Sequence, residues 1–135
     1  MRLAHNAHVV IADGENFSLC RNEGALFEPR LVEIETPKLE PTNYSAGVRD
    51  GDEIGRQLGR TQLDELAHAA AIAEWLNARA IAGEIKQIMI IADPKTLGEM
   101  RLHYHDRLRA ALAGEIAKTA TGVPLTDVEK IIIEA

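Results

Sequence analysis

Two aspartates stand at matched places in this chain, and they are the first residues whose type and position suit chemistry. Asp13 ends the apolar run His8-Val9-Val10-Ile11-Ala12 and precedes Gly14, while Asp93 ends Ile88-Met89-Ile90-Ile91-Ala92 and precedes Pro94. A carboxylate at a strand end can hold a divalent cation or carry a proton. Each also has a local reason for its place. Asp13-Gly14 is a turn dipeptide, because Gly accepts positive φ and Asp tolerates it. Asp93-Pro94 is the order of an N-cap followed by the first helical residue. A second set is basic: Lys95, Arg101, His103, His105, Arg107 and Arg109. Aligned, such residues hold RNA phosphates. On one helix they spread around the exposed face instead, with Glu99 and Asp106 among them.

The remaining reactive side chains carry less. His103 and His105 are two apart and do not share a helix face, and no His/Cys spacing matches a metal site. No metal or other cofactor is expected from these residues. Cys20 is the single cysteine, which excludes an internal disulfide and suits a buried strand position in a reducing compartment. No nucleophile elbow, phosphate loop or dinucleotide fingerprint is present.

The elements that must position these residues read in order. His8–Ala12, Phe17–Arg21 and Arg30–Thr36 form an antiparallel meander with turns at Asp13-Gly14 and Asn22-Glu23-Gly24. The stretch from Pro37 to Arg60 has two prolines, four glycines and no periodicity, and reads as a long loop of the kind that is often functional. Thr61–Ala82 reads as a long Ala-rich helix, with Leu63, Leu66, Ala70, Ala73, Ala80 and Ile81 on its stripe. Ile72 and Trp75 fall off that stripe, which predicts a second apolar face and a homodimer through it. Ile88–Ala92 is a strand buried on both faces. One helix is expected from Asp93 to about Ala113, then a strand over 115–121. Thr126-Asp127-Val128-Glu129 is a capping box opening a last helix. The fold class is therefore α/β, a mixed sheet in which an antiparallel meander precedes βαβ-type units.

Composition sets the outer limits. At 135 residues, 46% apolar and 27% charged, the chain fits one domain over 1–135. Its formal net charge of −6 argues against a surface that coats nucleic acid broadly. No apolar run approaches a membrane span and no signal-peptide pattern opens the chain, so a cytoplasmic location and no membrane partner are expected.

The element order is that of ribonuclease H-like proteins. Within that class the chain resembles the bacterial host attachment proteins, described as proteins required for attachment to host cells. The likeness rests on Val9-Val10-Ile11-Ala12-Asp13-Gly14, on Pro29-Arg30-Leu31-Val32-Glu33, and on Ile90-Ile91-Ala92-Asp93-Pro94-Lys95-Thr96-Leu97-Gly98-Glu99-Met100-Arg101. It continues in Leu108-Arg109 and Lys118-Thr119. That family is in turn similar to the middle domain of archaeal and eukaryotic class-one release factors.

Three functions follow from the resemblance as expectations. The first is a non-enzymatic binding or accessory protein, associated with the ribosome or its RNA and with no assigned small-molecule ligand. The second is a peptidyl-tRNA-hydrolysing release or rescue factor. In release factors a loop before the long helix carries Gly-Gly-Gln, and the 37–60 loop holds Gly55-Arg56-Gln57 in the corresponding place. Arg56 departs from that pattern, since its side chain obstructs the close backbone approach that glycine permits. Asp50, Asp52 and Glu53 would be repelled by RNA. The third is a Mg²⁺-dependent nuclease using Asp13 and Asp93, with Asp64 or Glu65 as a third carboxylate. The binding residues implied are Gly55, Arg56, Gln57, Arg101, Arg107 and Arg109.

Overall fold

The computed structural model describes residues 1–39 and 60–135. Gly55-Arg56-Gln57 and most of the expected 37–60 loop lie outside the described residues. The elements are β1 (His8–Ala12), β2 (Phe17–Asn22), β3 (Leu31–Glu35), α1 (Arg60–Ile81), β4 (Ile88–Ala92), α2 (Pro94–Arg101), α3 (Asp106–Ala111), β5 (Leu112–Ala117) and α4 (Leu125–Glu134). The strands form one sheet in the order β3-β2-β1-β4-β5. β1–β2 and β2–β3 are antiparallel, while β4 runs parallel to both β1 and β5. The mixed α/β class expected from the sequence is what the chain adopts.

Strand alternation divides the apolar residues between two cores. Val10, Ala12, Leu19, Ile88 and Ile90 face α1, α2 and α3. Val9, Ile11, Cys20, Met89 and Ile91 face the other way, against Leu3 and against Val128 and Ile132 of α4. All five residues of β4 are buried, as a central parallel strand covered on both sides requires.

Five expectations need correction. The stripe of α1 is centred differently: Ala69, Ile72, Ala73, Leu76 and Ala80 face the sheet. Ile72 is fully buried in the chain's own core, so it does not belong to an outer interface. The run Ala67–Ala73 is buried throughout, because α2 and α3 also pack on α1, and alanines give little contrast from which to read a phase. The single helix over 94–113 is two helices. Asn77 of α1 donates to the His103 carbonyl at 2.8 Å and accepts from the His105 amide at 2.9 Å, which holds the break. His105 then caps α3, its Nδ1 accepting from the Arg107 amide at 3.0 Å. The last strand lies at Leu112–Ala117 rather than 115–121. The capping box is not formed: α4 begins after Pro124 with no side-chain cap, and Glu129 instead accepts the Leu31 amide of β3 at 2.8 Å.

One buried side chain helps to hold the amino-terminal segment, beside the Met1 ammonium on the Ile132, Ile133 and Ala135 carbonyls. Asn22 Nδ2 donates to the carbonyls of Leu3 and Ala4 at 3.0 and 3.1 Å. Its Oδ1 accepts the amides of Gly24 and Arg30 at 2.8 and 2.9 Å. Gly24 is confined in that turn: a Cβ there would lie 2.3 Å from the Glu28 carbonyl oxygen.

Candidate functional site

The carboxyl ends of β1 and β4 open on a shallow depression of about 320 Å³ lined by Asp13, Gly14, Glu15, Glu65, Asp93 and Thr119. Adjacent parallel strands put Asp13 and Asp93 there together, and α1 adds Glu65. Asp64, the other expected third carboxylate, is exposed and is not part of the lining. Gly14 lets α1 come close, since a Cβ at that position would sit 2.6 Å from Glu65 Cγ.

The carboxylates are largely engaged in local structure. Asp13 Oδ1 accepts the amides of Glu15 and Asn16 at 2.8 and 2.6 Å. Burial works to raise the Asp13 pKa, but those two amides, helped by the nearby Thr121 hydroxyl, outweigh it and hold the carboxyl below its ordinary value. Asp93 caps α2, its Oδ2 accepting from the Thr96 amide at 3.1 Å, while Oδ1 is buried without a partner. Glu65 lies 3.8 Å from Lys95. Among the described residues no group of three His, Cys, Asp or Glu side chains is arranged to hold a metal ion.

His68 stands behind this end of the sheet, 3.3 Å from the Asp13 carbonyl oxygen through Nδ1. The carbonyl can only accept, so Nδ1 is assigned the hydrogen and Nε2 the lone pair. Burial pushes the His68 imidazole below its ordinary range, against the opposing pull of Asp13 and Glu15. The contact of His68 with a residue 55 positions away had no local signal.

The expected basic row is dispersed by the break between α2 and α3. Arg101 is bound to Glu115 of β5, through Nε at 3.1 Å and Nη2 at 3.0 Å. Tyr104 donates to the same carboxylate at 2.9 Å, and its burial raises the phenol well above its usual range. His103 donates to Glu99 at 2.8 Å. Arg107 and Arg109 are exposed on α3, with Arg109 3.5 Å from Asp106.

A family model described as bacterial archaeo-eukaryotic release factor family 12 matches residues 6–132. The chain belongs to that family. The match spans the whole described sheet and the segment between β3 and α1, and it bears out the release-factor likeness expected from the residues. It does not carry the host-attachment name. No curated protein matches the chain. In this family 12 protein the segment joining β3 to α1 contains Gly55-Arg56-Gln57, and those three residues lie outside the described ones.

Trp75, the other half of the expected interface, is half-buried. Its indole meets Phe17 edge-on at 5.2 Å, and the Arg79 guanidinium lies 4.2 Å from its ring centroid. Arg79 is itself held by Glu35 at 3.1 Å and Glu84 at 3.4 Å. The cation covers one face of the ring from within the chain. No helix among the described residues is long and apolar enough to cross a membrane.

Proposed function

We propose that this family 12 protein is a non-enzymatic accessory of the translation machinery that contacts the ribosome or its RNA. The observation that carries this reading is the family match over residues 6–132. Two further features support binding over catalysis. Gly55-Arg56-Gln57 places an arginine where peptide release calls for a glycine, and arginine is suited to phosphate contact. Asp13 and Asp93 each spend an oxygen on their own turn, and among the described residues those around them do not form a metal-holding set. The net charge of −6 means that any RNA contact is local, carried by a few cations such as Arg56, Arg107 and Arg109.

The test is co-sedimentation with ribosomes at low and moderate salt. The expected result is binding that weakens as salt rises, as phosphate contacts require. No binding at low salt would reduce the family relationship to a shared fold. The release reading is separable: it requires hydrolysis of peptidyl-tRNA on ribosomes and its loss in Gln57→Ala.

A further inference from the structure

We propose that the amino ends of β1 and β4, opposite the acidic depression, form a binding site for a phosphate group, built from His5, His8, Arg21 and Lys86. These residues line a cavity of about 580 Å³ together with Asn6 and Glu84. The backbone fixes them against one another. His8 and Arg21 are direct cross-strand partners on β1 and β2. The His8 amide donates to the Gln87 carbonyl at 2.9 Å, which joins the segment bearing Lys86 to β1. The Asn6 amide donates to the Asn22 carbonyl at 2.8 Å, and Asn22 Nδ2 holds the segment that carries His5.

Hydrogen-bond accounting points to a ligand. Arg21 Nε and His8 Nδ1 are both buried without a partner. A guanidinium is always charged, so Nε–H is an obligatory donor, and leaving it buried and unpaired is costly. An anion oxygen in the cavity satisfies it. His8 Nδ1 offers a second donor once protonated there. His5 Nδ1 donates to the Gly24 carbonyl at 2.8 Å, which leaves Nε2 as its open ring nitrogen. Lys86 is exposed and makes no ion pair among the described residues.

The charge balance agrees. Among the described residues Glu84 is the single carboxylate in the lining, and it lies 3.4 Å from Arg79. Glu23 takes Arg21 Nη2 at 3.0 Å and leaves Nε unused. The His8 imidazole is pushed down by burial and then by Arg21 and Arg79, which is the signature of a locally positive, partly enclosed place. A guanidinium edge, an ammonium and imidazoles at one cavity suit the several oxygens of a phosphate. The cavity is larger than a bare phosphate, so an ester fits, either a small phosphorylated molecule or the phosphodiester of RNA.

The experiment uses the full chain and follows the His5 and His8 ring signals by NMR while inorganic phosphate replaces chloride at constant ionic strength. The expected result is a saturable shift of His8 with a rise in its pKa. Arg21→Lys keeps the charge but loses Nε–H, and should weaken binding about tenfold. Lys86→Ala, on an exposed segment, should weaken it about threefold without altering the fold. A His8 shift that fails to saturate, or that saturates equally in both variants, would overturn the site. A short RNA with internal phosphodiesters only distinguishes the source: a stronger response than to inorganic phosphate assigns the site to RNA, and a weaker one to small phosphate esters.

Discussion

At the carboxyl end of β1 and β4, three acidic side chains gather and each gives one oxygen to a neighbour: Asp13 to two amides, Asp93 to the first turn of α2, Glu65 to Lys95, which leaves Asp93 Oδ1 as a single buried acceptor without a partner. At the amino end of the same two strands, His8 and Arg21 are joined by backbone pairing, yet each keeps a buried polar atom with nothing to bond. The first end looked functional because of residue type and topology. The second carries no such signal, because a histidine and an arginine on neighbouring strands have no spacing that marks them. The comparison shows that residue identity nominates a site, while the accounting of hydrogen bonds decides whether its groups serve the fold or await a partner.

The largest effect should come from Asn22→Ala, which removes the clasp beneath the basic end. Two amides and two carbonyls lose their partner, and a loss of roughly 2–4 kcal/mol in urea denaturation is expected, since each buried unpaired group costs about 1–3 kcal/mol. A loss below about 1 kcal/mol would mean that the amino-terminal segment is held by other contacts. At the acidic end, Asp93→Ala should cost about 1 kcal/mol, the usual value of an N-cap. A much larger loss would show that Asp93 does more than cap α2.

A histidine at each end, and Asp13 at the acidic one, should show in the acid response. His8 and His68 have folded-state pKa values below the ordinary 6.5, so the unfolded chain binds more protons there. Stability should decline as pH falls below about 6.5, and His8→Asn should flatten part of that decline. Asp13 has a folded-state pKa below the ordinary 3.8, so its contribution is present above that value and is lost as pH falls through the folded-state value. Asp13→Asn should therefore flatten the most acidic limb of the profile and, by removing its pull on His68, slightly deepen the decline below about 6.5. The smallest effect is a control between the ends: burial, with Glu33 nearby, pushes the Cys20 thiol up to about 11, so it should resist thiol reagents until the protein unfolds.

How far the sequence could be read depended on whether the cause was local. The apolar runs of β1 and β4, the turn at Asp13 and the cap at Asp93 were legible because their signals lie within a few residues. The phase of α1 was not, because alanines at 67, 69, 70, 71 and 73 are buried whichever way the helix turns. The break after α2 is imposed by Asn77, which bonds residues 26 and 28 positions away. The capping box failed for a similar reason, since its Glu129 is taken by β3, 98 residues earlier. The Arg101–Glu115 pair is equally remote from any local pattern. Such long-range polar contacts leave no mark in the sequence, whereas the bonds of Asp13 and Asp93 are local and do.

Binding to the translation machinery is the proposed role of the chain. The most direct measurement compares co-sedimentation with ribosomes for the parent protein and for a variant with Arg56→Ala and Gln57→Ala, across a salt series. The account predicts that the parent pellets with ribosomes at low salt, that binding falls steadily as salt rises, and that the variant binds more weakly with a shallower salt dependence. Failure of the parent to pellet even at the lowest salt would contradict it.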